Sequence, residues 1–347
     1  MMIEEILRKA QDDFELTPEE IAELFNIPLF SLEGASIQAA ARLKSRKASL
    51  GFAEVHAQVG LNAAPCSRDC LFCSFASCNG VFKEGTELAP DEAVSRAVQF
   101  ETDGANAIYV MSTADYPFEK FAELSREIRG ALRPETVLVA NIGDFSPAQA
   151  RMLKDTGYAG IYHALRMGEG RDTTIPPERR LKTFQIAREA GLLLGTCVEP
   201  VGPEHSVEEL VEKTVITRDA EPVYSGSGRR MPIPGTRLGE LGTVSKARMA
   251  HVQAVVRLAM YGDVGGNCTH EPNVIAAAAG ANLLWAEAGS RPRDITVESG
   301  KQWGMTVADC RLVFEEAEWK VLDGPSLFYG GTTMEELMNR GENKSAG

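Results

Sequence analysis

Apolar and polar positions change their period at residue 51. Before it the spacing is helical. Thr17-Pro18-Glu19-Glu20 reads as a capping box with proline at the first helical position, and Ile21, Leu24 and Phe25 follow on one face. A second helix is predicted over 31–48. No chemistry stands out in 1–50, which reads as a helical extension, a lid or a barrel plug. From residue 51, short β-prone runs alternate with helical stretches. Strands are predicted at 54–59, 107–111, 137–142, 160–163, 192–199, 223–225, 263–267 and 282–285. Helices are predicted between them near 90–103, 117–132, 146–156, 177–190, 206–219, 244–261 and 272–279. Ser206-Val207-Glu208-Glu209 is a further capping box.

Repeated β-then-α units predict an α/β chain folded as a TIM-type (βα) barrel. The expected organisation is a helical extension over 1–50, the barrel over 51–325 and a tail over 326–347. Residues 294–321 are expected to be helical and to close the domain, and the polar tail is expected to fray. Periodicity leaves the strand count open. In such barrels the functional site lies at the C-terminal ends of the strands.

One stretch carries distinctive chemistry. Cys66-Ser67-Arg68-Asp69-Cys70-Leu71-Phe72-Cys73 places three thiols in eight residues, directly after the first predicted strand. Three thiolates so spaced can hold three irons of a [4Fe–4S] cluster and leave the fourth iron open. The competing reading is a structural zinc site that takes Cys78 as its fourth ligand. The seven cysteines are an odd number, and three of them are packed together. With no export signal in view, this favours metal binding over a disulfide framework and implies a reducing cytoplasm with little oxygen. The net charge is −13 and no basic cluster appears, which argues against nucleic-acid or anionic-membrane partners. No apolar run is long enough to span a bilayer.

The cysteine spacing, with an aromatic residue before the third thiol, resembles the radical S-adenosylmethionine (SAM) enzymes. Further stretches resemble their biotin synthase-like branch, which includes [FeFe]-hydrogenase maturases and methylornithine synthases. These are the run from Arg180 to Ala190-Gly191, the turn Val198-Glu199-Pro200-Val201-Gly202-Pro203-Glu204, Pro232-Ile233-Pro234-Gly235-Thr236, and Val264-Gly265-Gly266-Asn267 followed by Gly280-Ala281-Asn282. They keep their order from about residue 50 to 320.

The resemblance implies that Cys66, Cys70 and Cys73 hold a [4Fe–4S] cluster whose open iron chelates SAM. Phe72, Ser112, Thr113, Glu169 and Arg180 are the implied SAM contacts. Arg180 suits the carboxylate, because a guanidinium offers it two parallel donors. Hydrogen abstraction from an unactivated C–H bond follows, with sulfur insertion of biotin or lipoyl type the leading outcome. Carbon-skeleton rearrangement and organometallic cofactor maturation are the alternatives, and an iron–sulfur carrier or scaffold is the alternative outside enzymes. The implied partners are a small or carrier-protein-tethered substrate and a one-electron donor such as flavodoxin or ferredoxin.

Two departures stand out. Biotin synthases hold a second cluster with three cysteines and an arginine, yet the strand ends at Met111-Ser112 and Ala140-Asn141 carry no cysteine. Cys197 lies two residues from the third ligand position, which keeps it on the same strand face. Cys268 and His270 sit near the arginine position. Cys197, Cys268 and His270 are therefore read as catalytic residues that could hold a second iron–sulfur cluster or act as a thiol partner to a radical. The second departure is Leu165-Arg166-Met167-Gly168-Glu169, which looks more like the maturase side of the branch.

Overall fold

In the computed structural model, which describes residues 3–333, 336 and 337, the predicted alternation becomes a closed barrel. Among the described residues, eight parallel strands form it: β1 (Phe52–Gly60), β2 (Ala107–Met111), β3 (Val137–Asn141), β4 (Gly160–Tyr162), β5 in two pieces (Leu193–Gly195 and Val198–Val201), β6 (Tyr224–Arg229), β7 (Gly266–Thr269) and β8 (Leu283–Gly289). Each pairs with the next, and β8 returns to β1 in the register Glu54↔Leu283 through Gly60↔Gly289. All eight predicted strands exist. The count that periodicity left open is settled by ring closure.

β1 shows why the sequence folds this way. Ala53, Val55, Ala57 and Val59 alternate outward and pack beneath the surrounding helices. Glu54, His56 and Gln58 alternate inward and are buried in the barrel. There His56 bonds Glu54 at 2.8 Å and Tyr109 at 3.1 Å, and Tyr109 bonds Tyr224 at 3.3 Å and Tyr329 at 3.2 Å. Strands of parallel barrels are buried on both faces, so inward polar residues need such partners.

The N-terminal segment is neither a lid nor a plug. Its helices Ile3–Gln11, Pro18–Asn26 and Leu32–Ala48 pack outside the barrel, against the helices Val207–Asp219 and Lys246–Ala259. Both predicted capping boxes form, at Thr17 and at Ser206. Buried Lys44 ties the segment down by donating to the carbonyls of Ala10 (2.7 Å) and Leu258 (3.3 Å). Buried Arg257 answers by donating to the carbonyl of Lys44.

The C-terminal expectation needs two corrections. Within 294–321 the α-helix is Val307–Glu316 alone, preceded by loop with one 3₁₀ turn, and Lys320–Val321 is a short strand added beside β1. Residues 291–293 of that loop line the barrel mouth. The expected tail also starts inside the fold. Phe328 and Tyr329 are buried under the barrel, and Glu54 accepts from Ser326, from the amide of Leu327 and from that of Phe328. The rest of the expected tail, 334–335 and 338–347, lies outside the described residues.

Candidate active site

The cysteine loop leaves the C-terminal end of β1 and is clamped from three sides. Ser67 bonds Asp115, just beyond β2, through its amide (2.6 Å) and hydroxyl (3.0 Å). The amide of Leu71 donates to the carbonyl of Asp172 (2.8 Å) and Thr174 donates to that of Arg68 (2.9 Å), both from the loop after β4. The amide of Ser74 donates to the carbonyl of Pro292, beyond β8 (2.7 Å). Asn79 closes the turn by donating to the carbonyls of Leu71 and Cys73. The loop is thereby wound so that Cys66, Cys70, Phe72 and Cys73 line one cleft at the barrel mouth.

The three thiols carry no disulfide. Burial raises Cys66 and Cys73 and pushes the Cys70 thiol up to about 12. Thiols so placed keep their protons until a cation displaces them, so metal binding here releases protons. Cys78 is exposed on the turn Ser77–Asn79, and its amide donates to Asp69 (2.9 Å); it does not line the cleft.

The opposite wall comes from the ends of the other strands. Ser112 and Thr113 follow β2, are buried and line the cleft. Asn62 fixes Thr113 by two bonds of 2.9 Å, one to the hydroxyl and one from the amide. Arg180 also lines the cleft although it lies on the helix Pro177–Glu189, because it is buried and points inward. Its guanidinium is braced by Glu169 (3.1 Å) and Asp144 (3.3 Å).

Glu169 behaves differently from the expectation. Its side chain is fully buried and does not line the cleft. Its oxygens are taken by the amide of Arg166 (3.1 Å), the guanidinium of Arg180 and the hydroxyl of Thr173 (2.6 Å). It positions Arg180 rather than reaching a ligand. Burial would raise the Asp144 carboxyl, but the hydrogen bond from His163 and the nearby Arg180 hold it well below the usual carboxylate range. Burial in turn keeps His163 low despite that partner.

Cys197, Cys268 and His270 converge as their strand positions imply. The two sulfurs are 2.9 Å apart and buried, and the three ligand atoms lie within 4.8 Å of one another. β6 runs between the strands of the two cysteines, and its residue there is Gly226, paired with Cys268. Gly226 has φ +141°, and an added Cβ would land on the backbone of Cys268. Gly226→Ala is expected to cost about 1–3 kcal/mol of stability through this overpacking, read as a lower urea midpoint. An unchanged midpoint would mean the strands can part freely there.

Glu199, at the end of β5, pairs with Arg166 and Tyr162 and lies 2.5 Å from His270 Nδ1. Glu204 pairs with Arg230, and Arg229 pairs instead with Glu271. His205 is a loop residue whose Nδ1 accepts from the amide of Gly202 (2.9 Å).

Sequence reasoning missed several residues of the wall. Gln58 and Asn141, bonded to each other at 2.7 Å, line it, as do His163, Arg166 and Arg291. Gln58, Asn141 and His163 lie at the C-terminal ends of predicted strands and Arg166 just beyond one, so polar residues at those ends were the available signal. Arg291 had none, because it lies on the loop expected to be helical.

No family model matches the chain. The biotin synthase of Desulforudis audaxviator is 28% identical over 209 residues, 58% of this chain and 63% of that protein. The biotin synthase of Nitrosopumilus maritimus is 26% identical over 267 residues, 74% of this chain and 79% of that one. The first match thus spans less than two thirds of its relative. In fold, the crystal structure of HydG, a maturase of the [FeFe]-hydrogenase, superposes with a TM-score of 0.78 at 16% identity, covering 98% of this chain and 80% of that one. The likenesses are thus to biotin synthases in sequence and to a [FeFe]-hydrogenase maturase in fold. Both belong to the branch that the cysteine motif and the ordered stretches resemble.

Proposed function

We propose that Cys66, Cys70 and Cys73 hold a [4Fe–4S] cluster and that the chain is a radical SAM enzyme whose reaction is sulfur insertion in cofactor biosynthesis. One observation carries this reading: three free thiols and a braced arginine face one cleft at the C-terminal end of a parallel barrel. The donor set fits the group. A lone zinc ion would draw its sulfurs to about 3.8 Å of each other. Among the described residues, the group that closes within 4.8 Å is Cys197, Cys268 and His270, not the loop cysteines.

When bound, such a cluster supplies the electron that splits SAM into methionine and a 5′-deoxyadenosyl radical. The chain's own residues bind, orient and shield. Arg180 presents a guanidinium to the methionine carboxylate, with Glu169 and Asp144 fixing its plane. The Ser112 and Thr113 hydroxyls stand at the same wall. Phe72, Tyr162 and Trp285 give the cleft apolar faces that keep water from a reactive carbon. Sulfur insertion leads because the sequence relatives are biotin synthases, with the sulfur brought in by a separate sulfide donor. The substrate is a small or carrier-tethered molecule, and a flavodoxin or ferredoxin would supply the electron.

The test is anaerobic reduction of the cluster-loaded chain with SAM. We expect 5′-deoxyadenosine and methionine; a fully loaded, reduced chain that leaves SAM intact would overturn the reading in favour of a carrier. Arg180→Ala is expected to weaken SAM binding by about 2–3 kcal/mol, or roughly 30- to 150-fold. Equal affinity in equilibrium dialysis would show that Arg180 only braces the wall.

A further inference from the structure

We propose that Cys197, Cys268 and His270 form a second metal site that binds one soft divalent ion, zinc or ferrous iron, rather than a second iron–sulfur cluster. The inference does not depend on SAM cleavage. Two thiols and one imidazole are the donor set that zinc and ferrous iron favour over hard cations. Their ligand atoms lie within 4.8 Å of one another. A tetrahedral ion with typical metal–sulfur and metal–nitrogen bonds needs ligand atoms about 3.5–3.8 Å apart. The sulfurs start at 2.9 Å, so a small rotation about each Cα–Cβ bond opens the site to that spacing. A closed two-iron cluster needs four ligands spread over two irons, and the compact group offers three.

The surroundings are built for ligation. Glu199 stands 2.5 Å from His270 Nδ1, which favours the proton on that nitrogen and leaves the lone pair on Nε2, where the Tyr162 hydroxyl stands at 3.4 Å. A carboxylate holding the far nitrogen is the usual support of a metal-bound histidine. Glu199 is itself fixed by Tyr162 and Arg166, so the imidazole plane is set before any ion arrives. Gly226, between the two cysteine-bearing strands, lets the Cys268 backbone come close to its own strand. His270, Glu199 and Tyr162 all line the cleft, so the fourth position opens on the space proposed for substrate. Three protein ligands with one open position make a site of the catalytic kind rather than a closed structural one. Binding displaces the thiol protons and changes no oxidation state.

The test is a cobalt titration of the full chain carrying Cys66→Ala, Cys70→Ala and Cys73→Ala, so that the loop cannot compete. Circular dichroism first checks that this variant is folded. We expect one cobalt per chain, with the sulfur-to-metal and visible bands of a tetrahedral thiolate site. Adding Cys197→Ala and Cys268→Ala should abolish both bands. Glu199→Gln should weaken binding about tenfold or more while the bands stay. Zinc content gives a second reading in the native, cluster-loaded chain: about one zinc, lost in Cys268→Ser. The proposal is overturned if the folded triple variant binds no cobalt, or if binding survives loss of both cysteines. It is also overturned if the two thiols form a disulfide under reducing, anaerobic conditions, or if the site carries two irons with acid-labile sulfide.

Discussion

Replacing Cys66, Cys70 and Cys73 together by alanine is expected to remove the iron of the proposed cluster and to abolish 5′-deoxyadenosine formation. The loss should be complete rather than graded, because on this proposal the cluster alone would supply the electron. The fold should survive. The loop is held by bonds from Ser67, Leu71, Ser74 and Asn79, not by the thiols. The far-ultraviolet circular dichroism of the variant should therefore match that of the parent while its iron falls to background. SAM cleavage persisting in the folded triple variant would sink the assignment of these residues.

Glu54→Ala is expected to cost about 3–5 kcal/mol of stability, with no part of the cleft touched directly. The Glu54 carboxyl sits at the closed end of the barrel and is fully buried. It accepts from Ser326 (2.6 Å) and from the amides of Leu327 (2.8 Å) and Phe328 (3.3 Å), and it bonds His56 (2.8 Å). Alanine would leave these partners buried without an acceptor and would free the segment that plugs the barrel. Glu54→Gln keeps the shape and one carbonyl acceptor, so it should recover more than half of the loss. Urea unfolding of both variants checks this. Equal midpoints for alanine and parent would mean that 326–332 is held by its apolar contacts alone.

Much of this architecture was legible because a parallel barrel repeats one signal. Each inward strand face is buried, each strand is short, and a helical stretch follows it. The strand count was not legible, since closure depends on the pairing of β8 with β1, which no local pattern encodes. The outer placement of 1–50 was equally hidden. Buried contacts of Lys44 and Arg257 fix it, and a charged residue in a helical pattern reads as solvated. The loop cysteines announced themselves by spacing. Cys197, Cys268 and His270 could be placed at strand ends, but their convergence also needed Gly226, whose role shows only in three dimensions. Glu169 was misplaced for a related reason: sequence gives its distance from Arg180 along the chain, not that three donors bury it.

The central claim is that one iron on the Cys66–Cys73 loop is open and takes SAM directly. Electron–nuclear double resonance on the reduced, cluster-loaded chain tests it, using SAM labelled with ¹⁵N at the amino group and ¹⁷O at the carboxylate. We predict hyperfine coupling of both labels to the cluster spin, lost when SAM is omitted. A reduced [4Fe–4S] signal that shows neither coupling with SAM in excess would contradict the account.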